Sequence, residues 1–176
     1  TNDHHISGTD RLAEAAQILG LADDDLVVNL QGDEPLMPAS LLTGVAETLM
    51  HDKQADVATA RVAISDPAQR KDPHVVKVVI DNKRHALYFS RSLIPHLRDI
   101  DSGLEHTVYR HIGLYAYRVG FLGEYTQLQP CELEQFEALE QLRVLWHGGT
   151  IAVMDAEEEP GHGVDTPADL ERVRAL

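Results

Sequence analysis

The chain runs Leu26-Val27-Val28-Asn29-Leu30 straight into Gln31-Gly32-Asp33-Glu34-Pro35. A short run dominated by Leu and Val reads as a buried strand, and the Gly, Asp and Pro behind it are turn formers. An acidic turn just past the end of a buried strand is where an open α/β sheet places its ligand chemistry. A second acidic turn, Gly163-Val164-Asp165-Thr166-Pro167, follows another apolar strand near the end of the chain. Asp33 and Asp165 are therefore candidates to converge at neighbouring strand ends and share a divalent cation. Hard oxygen ligands with no Cys and no close His pair beside them suit Mg²⁺ better than Zn²⁺. His4 and His5 do not restore a zinc reading, because sequence neighbours rarely aim at one ion. Each carboxylate also has a plainer reading: Asp33 as part of a solvated turn, and Asp165 as a charge that favours the dipole of the helix behind it.

The pattern around these turns predicts alternating strands and helices. Ser7 or Thr9 caps a helix with apolar Leu12, Ala15, Ala16 and Leu19, and Gly20 stops it. Pro38-Ala39-Ser40 opens a second helix to about Met50, with Leu41, Leu42, Val45 and Leu49 on its apolar face, and residues 57–64 alternate as a strand. His74–Ile80 and His85–Ser90, joined through Asp81-Asn82-Lys83, read as a hairpin. Residues 107–118 read as a strand. A helix over 133–146 carries Leu133, Phe136, Leu139, Leu142 and Leu145 as a core-facing stripe. A last strand covers 150–154, and a final helix starts with Thr166 as cap and Pro167 in its first position. The expectation is an α/β fold with an open mixed sheet and an antiparallel hairpin insertion. With 176 residues, 43% of them hydrophobic, one domain with a real core is expected over 1–176.

Several function classes drop out. No apolar run approaches membrane-spanning length and the start has no secretory signal, so a soluble, cytoplasmic protein is expected, with no membrane insertion. The single cysteine, Cys131, cannot form an internal disulfide. A formal charge of −14 with 15 scattered basic residues argues against nucleic acid as a partner. It does not argue against an anionic small substrate, since a metal ion and a few placed arginines reverse the local field.

Six strings then carry a resemblance: Ser7-Gly8-Thr9-Asp10-Arg11, Val28 to Pro35, Ala86 to Arg91, Tyr109 to Tyr115, Leu139 to Arg143, and Gly163 to Pro167. In order and spacing they resemble the 3-deoxy-manno-octulosonate cytidylyltransferase family along the whole chain. The resemblance implies a nucleotide-diphospho-sugar transferase type fold, usually a homodimer. It implies transfer of CMP from CTP to 3-deoxy-D-manno-octulosonate (Kdo), with release of pyrophosphate, in lipopolysaccharide biosynthesis. The family's metal-binding aspartates map to Asp33 and Asp165, which would serve catalysis by holding Mg²⁺. Its Kdo contacts map to Arg98, His111, Tyr115, Glu140 and Gln141, with Arg98 the natural carboxylate partner and Arg91 a helper. Without the resemblance, the two arginines read as surface charge, His111 and Tyr115 as strand packing, and Glu140 and Gln141 as a helix's solvent face. On the nucleotide side, Ser7 and Gly8 match a cytosine-side loop and Gln31 joins the CTP site. The residue before Ser7 is Ile6, so no side-chain amide contact is available there.

Family members begin with a strand and an Arg- and Lys-bearing glycine loop that cradles the triphosphate, and residues 1–6 contain no counterpart. The resemblance thus implies a chain that starts inside the enzyme and is inactive or impaired by itself. Two rivals stand beside it: a cytidylyltransferase for another acidic sugar such as a sialic acid, and a noncatalytic sugar-binding or oligomerising module.

Overall fold

Element ends fall where capping residues put them. The computed structural model describes all residues except 6, 100–105, 162, 165 and 176. Helix α1 (Gly8–Leu19) begins at Ser7, whose hydroxyl accepts from the Asp10 amide at 3.1 Å. It ends at Gly20, where a left-handed φ of 66° lets the Gly20 and Leu21 amides reach the carbonyls of Gln17 and Ala16. Strand β1 (Leu26–Asn29) and helix α2 (Ala39–His51) follow, then β2 (Val57–Ala63) and the short α3 (Pro67–Lys71). The hairpin is β3 (Lys77–Ile80) and β4 (Ala86–Ser90), followed by the long β5 (Tyr109–Arg118) and α4 (Val119–Tyr125). Helices α5 (Glu132–Glu137) and α6 (Gln141–Trp146), strand β6 (Ile151–Asp155) and α7 (Pro167–Arg174) complete the order. In α7, Thr166 and Asp169 form the reciprocal capping box that their spacing predicts. Among the described residues no helix is long and apolar enough to cross a membrane.

The strands form one mixed sheet in the order β4-β3-β5-β2-β6, with β1 also paired to β5. β5 is the shared strand. Its second half takes β1 on one edge, from Leu26↔Arg118 to Asn29↔Tyr115, and β2 on the other. Its first half continues along β2 and meets β3 at Lys77↔Arg110. Among the described strand pairs, only β2 and β6 run parallel. Period-2 alternation sends Ala58, Ala60, Ile112, Leu114, Ala116 and Ala152 to one face, where Leu41, Val45 and Leu49 of α2 cover them. Val57, Tyr117, Ile151 and Val153 face the other way, against Ala13 and Ala16 of α1, Leu122 and Tyr125 of α4, and Leu142 of α6. Both faces are buried, which is why β2 is apolar without interruption from Val57 to Ala58 and again at Ala60.

The helix expected over 133–146 is two helices. Ala138 sits at φ 50° and closes α5, its amide bonding the Glu134 carbonyl. Leu139 and Leu142 are buried as the stripe predicts, but Phe136 is 79% exposed. Glu134 and Arg143 account for the break. Side chains nine residues apart lie on opposite faces of a continuous helix. Here the Arg143 guanidinium donates to both Glu134 carboxylate oxygens, through Nε at 2.8 Å and through Nη2, and lies 5.0 Å from the Tyr125 ring centroid. That ion pair forms only if the chain turns between the two residues.

The hairpin is anchored at its base by a fully buried lysine. Lys77 Nζ donates to the carbonyls of Asp72 (2.9 Å), Val75 (2.5 Å) and Arg91. At the far end the amide of Val153 in β6 donates to the Arg84 carbonyl at 2.8 Å. Lys77→Met leaves three carbonyls without their ammonium donor, so it is expected to cost about 3 kcal/mol or more. The exposed Lys83→Met in the hairpin turn is expected to stay within about 0.5 kcal/mol. Urea midpoints at unchanged m-value give the comparison.

Candidate active site

The turn after β1 is closed by the Glu34 amide donating to the Gln31 carbonyl at 3.1 Å. It borders a cavity of about 740 Å³. One wall is Asn29 with Gln31, Gly32 and Asp33; another is Gly8 and Thr9 at the start of α1. The floor is Tyr115 and Tyr117 of β5 and Tyr125 of α4, and Glu140 and Gln141 close the remaining side at the start of α6. The Asp33 carbonyl accepts from the Val164 amide at 2.7 Å. A Cβ at Gly163 would stand 3.2 Å from both the Asp33 carbonyl and Glu34 Oε1, so the two acidic turns pack backbone to backbone with a glycine at the contact. Asp165 lies outside the described residues. Among the described residues no group of three His, Cys, Asp or Glu is arranged around a single metal position. Asp33 is exposed at the cavity edge.

A second cavity of about 590 Å³ has His111, Gly113, Glu34 and Gly163 in its lining. Arg110 also lines it and pairs with Glu159 at 3.3 Å. An aromatic row connects the two cavities: Phe89 to His111 at 4.9 Å between centroids, His111 to Tyr115 at 5.4 Å, and Tyr115 to Tyr117 at 5.8 Å. Burial holds the hydroxyls of Tyr115, Tyr117 and Tyr125 above the usual phenol range, so all three stay neutral donors. Burial, and next the Arg110 charge, push His111 down to about 3. Withdrawal from water also raises the Glu140 carboxyl, against a 3.2 Å hydrogen bond from the Thr9 hydroxyl that lowers it.

The sequence-predicted residues divide into two groups. Asp33, Gln31, Gly8, Tyr115, Glu140 and Gln141 share the first cavity, and His111 lines the second. Gln141 is buried there, not on a solvent face. Neither of these two cavities has the other three among its described lining residues. Ser7 serves as the α1 cap and also donates to Asp10 Oδ2 at 3.0 Å. Arg91 donates its guanidinium to the carbonyls of Glu137 (2.7 Å), Pro73 (3.0 Å) and Ala138 (3.3 Å), tying the hairpin to α5. Arg98 is exposed. Among the wall residues that the sequence reading did not assign to the site are Thr9, Arg11, Asn29, Tyr117 and Tyr125. The Tyr-Ala-Tyr alternation at 115–117 carried a signal for Tyr117. Nothing local marked Tyr125, whose hydroxyl is buried with no hydrogen-bond partner among the described residues.

The family model for cytidylyltransferases matches residues 1–154. The 3-deoxy-manno-octulosonate cytidylyltransferase of Polynucleobacter necessarius subsp. necessarius (strain STIR1) is 53% identical over 176 residues, spanning 100% of this chain and 69% of that protein. The chain belongs to the 3-deoxy-manno-octulosonate cytidylyltransferase family. The family member of Vibrio vulnificus (strain CMCP6) is 52% identical over 180 residues, with 100% of this chain and 71% of that protein covered. A CMP:2-keto-3-deoxy-manno-octonic acid synthetase solved in complex with CTP superposes with a TM-score of 0.90 at 41% identity, covering 100% of this chain and 70% of that one. At 13% identity, a 4-diphosphocytidyl-2C-methyl-D-erythritol synthase shares only the fold, with a TM-score of 0.54 over 94% of this chain and 62% of that one. The expected nucleotide-diphospho-sugar transferase type fold, with its open mixed sheet and hairpin, is the one this chain adopts.

The depressed His111 pKa has a stability consequence of definite sign. The unfolded ring takes up a proton below 6.5 while the folded ring stays neutral until about 3, so stability is full above 6.5 and declines as pH falls through that window. The His111 ring resonances are expected to stay flat between about pH 8 and pH 5. A titration midpoint near the ordinary histidine value would show a solvated ring.

Proposed function

We propose that the enzyme carrying this sequence binds CTP and Kdo and transfers CMP to the sugar with release of pyrophosphate, in lipopolysaccharide biosynthesis, as a cytoplasmic, Mg²⁺-dependent homodimer. The observation that carries the reading is the TM-score of 0.90 to a synthetase solved with CTP, over all of this chain. The cavity beside the acidic turn supports it, since 740 Å³ falls within the size range of small-molecule sites. Exposed Leu87, Phe136 and Trp146 supply apolar surface for a second copy. The sialic acid and noncatalytic readings have no comparable support.

The first cavity presents the carboxylates of Asp33 and Glu140 against a single cation, Arg11, among its described wall residues. A triphosphate there meets little positive charge from these wall residues. The oxygen donors of the two acidic turns fit a hard divalent ion, with Asp33 and Asp165 as the proposed holders. When bound, Mg²⁺ would neutralise phosphate charge and polarise the α-phosphate. The chain's own contribution is placement. The closed turn at 31–34 fixes Gln31 and Asp33 beside the nucleotide. Neutral phenols at Tyr115, Tyr117 and Tyr125 donate without adding charge, and Glu140 and Gln141 hold sugar hydroxyls on the α6 side. His111 reaches the sugar from the second cavity. The reacting atoms are the sugar's anomeric hydroxyl oxygen and the α-phosphorus. The new P–O bond forms as the bond to the β-phosphate breaks, pyrophosphate leaves and the hydroxyl proton passes to solvent, and such a transfer depends mostly on alignment and charge neutralisation.

Pyrophosphate release from CTP with Kdo and Mg²⁺ tests this reading. Release is expected with Kdo and not with sialic acid, and Asp33→Asn is expected to slow it at least about a hundredfold. Comparable release with sialic acid, or an unchanged rate in Asp33→Asn, would contradict it.

A further inference from the structure

Thr59 lies where β2 and β5 slip out of register. It pairs with Tyr115 while its neighbour Ala60 pairs with Ile112, which leaves Gly113 and Leu114 without partners on β2. Thr59 is fully buried. Its Oγ1 has three polar neighbours: the Leu114 carbonyl at 2.8 Å, the Ile112 carbonyl at 3.1 Å and His111 Nε2 at 2.9 Å. A hydroxyl has one proton to donate. Two of these neighbours are carbonyl oxygens, which only accept, so the Thr59 proton must go to a carbonyl. The third contact then falls on an Oγ1 lone pair, and His111 Nε2 must carry the hydrogen.

A neutral imidazole protonated at Nε2 has a bare acceptor at Nδ1. Among the described residues His111 Nδ1 has no hydrogen-bond partner, and the ring lines the second cavity. The ring cannot easily turn away. Phe89 stands edge-on at 4.9 Å, Tyr115 lies at 5.4 Å, and the His111 amide donates to the Val76 carbonyl at 2.8 Å. We propose that Thr59 is a positioning residue: its hydroxyl locks His111 in the Nε2–H tautomer and thereby presents Nδ1 as an acceptor for a hydroxyl of the acidic sugar. The tautomer half of this statement stands on geometry alone, while the sugar half rests on the proposed function. It also carries a specificity consequence. A bare Nδ1 attracts an O–H donor and repels a carboxylate, so the sugar's acid group must face another part of the site.

Nitrogen-15 correlation spectra of the labelled chain read the tautomer without any substrate. The wild-type His111 is expected as the Nε2–H form. Thr59→Ser keeps the lock. Thr59→Val and the weakly accepting Thr59→Cys release it, giving a mixture of forms or the Nδ1–H form. Two results overturn the lock: an Nδ1–H ring in the wild type, or an unchanged Nε2–H ring in a folded Val or Cys variant. Because the wild-type spectrum and two different replacements are read, a single misfolded variant does not decide the matter. Titration with Kdo addresses the second half. Kdo is expected to move the Nδ1 resonance, and Thr59→Val to weaken Kdo binding about tenfold, the worth of one hydrogen bond, with CTP binding unchanged. An Nε2–H ring that Kdo leaves untouched removes the sugar contact while the lock stands. Equal weakening of Kdo and CTP reduces Thr59 to a structural residue.

Discussion

The double pairing of β5 is the constraint on which the rest of this structure depends. One ten-residue strand must satisfy β2 along one edge and both β1 and β3 along the other. A regular ladder would leave no room for a change of direction between those two partners. The register slip opposite Thr59 falls between them and brings the buried Thr59 hydroxyl within reach of the Ile112 and Leu114 carbonyls. Buried carbonyls demand donors, and the Thr59 hydroxyl serves them. His111 and Tyr115 flank the slip on the same face of β5, their rings 5.4 Å apart, and line one cavity each. The irregularity thus lies between the residues that line the two cavities.

The described walls of the first cavity carry little fixed positive charge. The chain carries a formal −14, its triphosphate substrate in the proposed reaction is anionic, and the wall aromatics are held neutral by burial. Neutral donors and acceptors in a partly dry cavity bind oriented hydroxyls well, because unpaired groups there are costly. In the proposed reaction, a hard cation held by the acidic turns would supply charge balance. Two turns from opposite ends of the chain are already in contact through the Val164 amide and the Asp33 carbonyl, so such a site needs little rearrangement.

What could be read from the sequence was whatever had a local cause. The Leu-Val run before Gln31 marked β1, the strand read over 107–118 marked β5, and Ser7, Gly20 and Thr166 marked helix ends through their own backbone chemistry. The pairing of the two acidic turns was legible because each follows a strand and strands share a sheet. What escaped the sequence had distant causes. The break at Ala138 follows from an ion pair across nine residues. Arg91 looks like surface charge until three carbonyls from two separate segments converge on it. Thr59 lies 52 residues from His111 and is invisible as its partner until the bulge brings them together. The exposure of Phe136 follows from the same break, since a stripe predicts burial only while the helix continues.

The central claim is that nucleotide and divalent ion meet at the turn following β1. Line broadening of backbone amides by Mn²⁺, a hard-ligand substitute for Mg²⁺, in the presence of CTP tests it directly. The account predicts that Gln31, Gly32, Asp33 and Val164 broaden first, while Lys83, Arg84 and His85 at the hairpin tip stay sharp. Broadening centred on the hairpin tip, or spread evenly over the chain, would contradict it.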